Sequence, residues 1–135
     1  MTKERLRNYR ALLAEKETLE AQIETVEAAL YNPKIPKYKP ATGGQPAEGK
    51  AMEDLAAKHM ELLDLYQDKM TGLAVELQAI EQAIDSLPPR ERTLLRLYYV
   101  RGLAWKDVCE LMHYSWGQTH NIHAKALEML KEPGV

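Results

Sequence analysis

The sequence predicts an all-α chain, with a long antiparallel, coiled-coil-like helical hairpin followed by a C-terminal group of three short helices. Three observations predict it. Two long stretches step their apolar residues by alternating threes and fours, the mark of a helical stripe. A Pro- and Gly-rich segment separates the two stretches. Beyond Pro88-Pro89 the apolar runs shorten and are broken at Gly102 and at His113-Tyr114. Phe is absent and Gly is scarce outside the middle, which also suits a helical chain.

The first helix is expected over residues 3–31. Leu12, Lys16, Leu19, Ile23, Val26 and Leu30 form a heptad seam interrupted only by Lys16, and Leu6 and Tyr9 extend it backwards. Asn32-Pro33 ends it, because the residue before proline avoids the helical region. This seam needs a partner, either the second helix of the same chain or another copy. The polar face mixes Glu with Lys and Arg, which is unlike a membrane-surface helix.

Residues 32–50 hold four prolines and three glycines and read as a linker. Lys34, Lys37, Lys39 and Lys50 make it basic, so it is either a solvated connector or an arm that touches phosphates. Helix resumes over 51–86, with Met52, Leu55, His59, Leu62, Tyr66 and Met70, then Leu73, Leu77, Ile80, Ile84 and Leu87 on the seam. The steps from Leu62 to Tyr66 to Met70 are two successive fours, which predicts a stutter there. His59 is read as a packing residue. A 19-residue connection lets the second helix return along the first.

The stretch from Leu87 to Leu130 carries the function. Pro88 and Pro89 suit the first turn of a helix that runs to Arg101-Gly102, where glycine can take the left-handed stop. A second helix, about 104–112, puts Trp105, Val108, Cys109 and Met112 on one face. His113-Tyr114 is the turn. Ser115 is the N-cap of a third helix, and Gln118 completes a capping box. Thr119, Ile122, His123 and Ala126 are expected to face the core. Two helices joined by so short a turn and packed on a third form a helix-turn-helix, placed at 87–131 after the hairpin at 1–86.

This stretch resembles region 4 of the sigma-70 family. The resemblance rests on LPPRER opening the first helix, LYYVRGL at the first break, Cys109 after Val108, Ser115 at the start of the recognition helix, and Ala126-Leu127. Trp105, the run from Met112 to Ser115, and Ile122-His123 bring it closer to small phage-encoded late-gene activators of the ArpU/RinA type. The resemblance implies binding of double-stranded promoter DNA, and a contact with RNA polymerase. It departs from the family where one or two arginines usually follow the capping turn, for Trp116, His120 and Asn121 stand there.

The third helix is the expected DNA reader. Trp116, Gly117, Gln118, His120, Asn121 and Lys125 are the groove-facing candidates, since amide side chains can bond adenine bidentately and helix N-terminal amides suit phosphate. Arg92, Arg101 and Lys106, with Arg90 and Arg96, are candidate phosphate contacts. Residues 88–135 carry seven Lys/Arg against five Asp/Glu, and 51–87 carry two against eight. DNA affinity grows with phosphates neutralised, so this balance predicts weak binding without RNA polymerase or homodimerisation.

Other classes find little support. No apolar run is long enough to span a membrane, and no secretory h-region opens the chain. Cys109, the single cysteine, suits a reducing cytoplasm. Gly43-Gly44 lacks the GK[ST] ending of a phosphate loop, and His120 and His123 lack further ligands at zinc spacing. Neither an enzyme, a metal nor a cofactor is expected. The alternative is an interaction or assembly module, such as a DNA-packaging small subunit, that keeps the helix-turn-helix as a scaffold.

Overall fold

The structure, a computed structural model, describes residues 1–31 and 45–131. Among these the elements are all helical: α1 (Lys3–Tyr31), α2 (Gln45–Ile84), α3 (Pro89–Leu95) continuing into a π-helical turn (Arg96–Val100), α4 (Trp105–Met112) and α5 (Trp116–Lys131). The chain forms two compact units, Met1–Ala14 with Thr71–Val135, and Glu15–Met70.

In the Glu15–Met70 unit the long helices run antiparallel. Lys69 Nζ reaches Glu15 at 2.6 Å, Tyr66 Oη donates to Glu20 at 2.7 Å, and His59 Nε2 lies 3.0 Å from Glu27. Ile23 and Leu62 are buried between the helices, so the two seams cover each other within the chain. The spacing placed Met52 and Met70 on the seam, but they are 46% and 40% exposed. Lys69 takes the seam position instead, three residues after Tyr66 and four before Leu73, so the expected stutter at Met70 does not occur. A lysine can serve there because its stem packs while its ammonium reaches a carboxylate.

Helix α2 begins at Gln45, six residues before the start expected at 51. Proline lacks only an amide that the first turn leaves unbonded, so Pro46 is compatible with this start. Residues 32–44, with Lys34, Lys37 and Lys39, lie outside the described residues.

The other unit is built on one core. Leu6 and Tyr9 of α1 and Ile80 and Ile84 of α2 pack with Leu94, Leu95, Tyr99, Val108 and Ala126 of the C-terminal helices. Leu6, Ile80, Ile84, Leu94 and Val108 are wholly buried, and each contributes about 1.5–3 kcal/mol relative to exposure. Arg5 pairs with Glu76 across α1 and α2 in this unit.

Pro88 is the N-cap of α3, and its carbonyl accepts the Arg92 amide at 2.9 Å. The helix then widens by one residue per turn, with the Arg101 amide donating to the Arg96 carbonyl at 2.8 Å. Gly102 (φ 70) makes the left-handed exit that its sequence position required. Arg10 secures this break: Nε donates to the Tyr98 carbonyl at 3.1 Å and Nη2 to the Leu103 carbonyl at 3.2 Å, and the guanidinium lies 4.3 Å from the Tyr98 ring centroid. It thereby satisfies carbonyls that a helix end leaves open.

Candidate nucleic-acid interface

The turn that aims α5 is set by His113, a non-glycine residue in the left-handed region (φ 60). It closes α4 as the Tyr114 amide donates to the Cys109 carbonyl at 3.2 Å. The capping box then starts α5. The Gln118 amide donates to Ser115 Oγ at 3.2 Å, and the Ser115 amide donates to Gln118 Oε1 at 3.0 Å.

Thr119, Ile122, His123, Ala126 and Leu127 fill the buried face of α5. Gly117, Gln118, Asn121, Ala124, Lys125 and Glu128 are exposed on the other. A cleft of about 240 Å³ opens along one edge of this exposed face, lined by Arg90, Tyr114, Gln118, Asn121, Ile122 and Lys125. The structure thus brings Gln118, Asn121 and Lys125 together with Arg90 at the start of α3. Behind Arg90 lies Glu91, 2% exposed, which accepts two bonds from its guanidinium at 2.8 and 3.1 Å. Burial pushes the Glu91 carboxyl up, but the Arg90 bonds and the nearby Lys125 charge hold it below the usual range. The carboxylate therefore stays charged and fixes Arg90 at the cleft mouth.

The opposite edge of α5 is aromatic. Trp116, 59% exposed, stacks on His120 at 4.3 Å between centroids. His120 also lies 4.5 Å from Trp105, and Trp105 stacks on Tyr98 at 3.8 Å. His120 Nδ1 donates to the Trp116 carbonyl at 2.9 Å. His120 is therefore held between two indoles; Nε2, which has no hydrogen bond among the described residues, is an acceptor in the uncharged ring and suits a base NH₂ rather than a phosphate. Deeper in the core, Tyr99 Oη and His123 Nε2 share a hydrogen bond of 2.7 Å. Burial pushes the His123 imidazole down to about 4 and the Tyr99 phenol up to about 12.

The candidate phosphate contacts are not equivalent. Arg96 is bound to Glu81 through bonds of 2.7, 3.0 and 3.2 Å, and Arg92 donates to the Asp85 carbonyl at 3.2 Å. Arg101 and Lys106 are exposed and carry no hydrogen bond or ion pair among the described residues. Four cations were missed: Lys3, Arg5, Arg7 and Arg10 join this unit from α1 against one carboxylate, Glu4. The charges of Lys3 and Arg7 reach His123 of α5. The approach of Lys3 and Arg7 to α5 has no signal in the sequence, because Leu6 and Tyr9 look like any continuation of the hairpin seam; Arg5 and Arg10 are instead engaged by Glu76 and by the Tyr98 and Leu103 carbonyls.

Residues 83–132 match the family model described as Sigma-70, region 4. This segment is a sigma-70 region 4-like helix-turn-helix. Comparisons with curated proteins and with solved structures returned no match. Within the region 4-like segment, α4 is the first helix of the motif and α5 is the recognition helix. The match gives the segment a DNA-binding, transcription-related role. No described helix is long and apolar enough to cross a membrane.

Proposed function

We propose that the chain is a cytoplasmic, phage- or prophage-type sigma-like transcription regulator that reads promoter DNA through α5. The observation that carries this reading is the convergence of Gln118, Asn121, Lys125 and Arg90 on one cleft of the region 4-like segment. Asn121 and Gln118 supply base-edge donors, and Lys125 and Arg90 lie beside them for the flanking phosphates. Gly117 lets the backbone approach the groove, and Trp116 and His120 form a second wall against sugar or a thymine methyl. Arg92, Arg101 and Lys106 hold the phosphate backbone farther out. Residues 87–131 are the DNA-contacting part and 1–86 the hairpin that serves it.

The region's modest positive charge makes unaided binding weak, and RNA polymerase is the proposed source of the remaining affinity. A homodimer is the other source, but the hairpin seams already cover each other and do not call for it.

Salt-titrated binding to promoter-derived and random duplexes, with and without RNA polymerase, tests this. Asn121→Ala should cost about 1–3 kcal/mol and relax preference at one position, while Arg101→Ala should weaken all sequences alike and lower the salt slope by about 1. No affinity at low salt even with polymerase present would end the proposal and leave the assembly-module reading.

A further inference from the structure

We propose that the outer face of α2 in the Glu15–Met70 unit docks a basic amphipathic helix of a partner protein. Met52, Met60, Leu63 and Met70 are 46%, 65%, 40% and 40% exposed. With Ala56 and Gln67 they step by 4, 4, 3, 4 and 3, so they form a second stripe beside the buried seam, roughly 27 Å long at 1.5 Å per residue. Methionine side chains adapt to varied partners, which suits a docking face better than a rigid core.

The rims of the stripe are acidic. Glu53 and Asp64 each follow a stripe residue and lie about 100° further round the helix. On the other side, His59 and Tyr66 stand four residues before Leu63 and Met70. They bring the α1 carboxylates of Glu27 and Glu20 to that edge, at 3.0 and 2.7 Å. Both carboxylates remain solvent-accessible, at 44% and 45%, with Lys16 Nζ standing 4.0 Å from Glu20.

Charge selects the occupant. Residues 15–70 hold seven lysines, no arginine and eleven Asp/Glu, a net charge of −4. A second copy would set like charge on like charge, and DNA or an anionic membrane would be repelled. A helix with an apolar stripe flanked by Lys and Arg meets both the methionines and the carboxylates. This inference does not rest on the DNA-binding reading.

The test uses the full chain and two labelled 18-residue helical peptides with one Leu/Ala stripe, flanked in one by Lys and in the other by Glu. Fluorescence anisotropy should show the Lys peptide binding about tenfold tighter, with the gap closing as salt rises. Met60→Gln with Leu63→Gln should abolish that binding while leaving duplex affinity, helicity and the melting temperature unchanged; if that pair unfolds, Met60→Ala alone should still weaken the peptide several-fold. Equal binding of both peptides, binding by neither, or binding untouched by the substitutions would overturn the proposal. So would a dimer in sedimentation that the same substitutions dissociate, because the occupant would then be a second copy.

Discussion

Lowering the pH from 7 to 5 should cost the C-terminal unit about 2 kcal/mol through one side chain, His123. Burial holds its imidazole at about 4, against an ordinary value of 6.5. The unfolded chain therefore takes up a proton near pH 6.5, while the folded protein refuses it until about pH 4. Stability present above pH 6.5 is lost as pH falls through this window. At 1.36 kcal/mol per unit the whole gap is about 3 kcal/mol, with about 2 already gone at pH 5. For a chain of this size that lowers the melting temperature by roughly 6–10 °C.

Urea unfolding followed by circular dichroism at several pH values measures the loss. His123→Gln, which keeps an amide within reach of the Tyr99 hydroxyl, is the control, because the other three histidines remain. The variant should be less stable at pH 7 and should lack most of the decline. If wild type and variant lose the same stability between pH 7 and 5, or if the His123 resonance titrates near 6.5 in the folded protein, the reasoning fails.

Ser115→Ala removes the cap of α5 and should destabilise by about 1 kcal/mol, read as a lower urea midpoint at unchanged slope. Thr119→Val should be neutral or stabilising by up to about 1 kcal/mol, because Thr119 Oγ1 is buried and has no hydrogen-bond partner among the described residues. Arg10→Met keeps the stem but opens the Tyr98 and Leu103 carbonyls. It should cost about 2 kcal/mol and speed amide exchange around residues 98–103, whereas Arg7→Met should leave those amides unchanged.

The helices and their breaks were legible because each rests on local chemistry. Pro88-Pro89, Gly102 and the Ser115–Gln118 box act within a turn or two of themselves, and the structure has all three where the spacing put them. The α5 core face was legible for the same reason, since a period of 3.6 needs only the sequence of one helix. What could not be read were facts about partners distant in the chain. A heptad admits either Lys69 or Met70, and only the location of Glu15 decides between them. Arg10, nearly ninety residues away, caps the Tyr98 carbonyl of the π-helical turn and the Leu103 carbonyl just after it. The arginines looked alike as candidate phosphate contacts, yet Glu81, Asp85 and Glu91 hold Arg96, Arg92 and Arg90, leaving Arg101 and Lys106 unpaired among the described residues. Ala124 was passed over because an alanine has no functional group. On the exposed face it is nonetheless the kind of residue that meets a thymine methyl.

The reciprocal cap on α5 limits how the helix can be re-engineered. Gln118 Oε1 accepts from the Ser115 amide, while its NH₂ carries no hydrogen bond among the described residues. That NH₂ suits a base offering an acceptor, such as N7 of a purine or O4 of thymine. Of the residues that could take its place, Glu alone keeps the reciprocal cap, and its carboxylate would turn the preference toward the NH₂ of cytosine. A library built to retarget this protein should restrict position 118 to Gln or Glu and vary Asn121, Ala124 and Lys125, whose side chains start no helix.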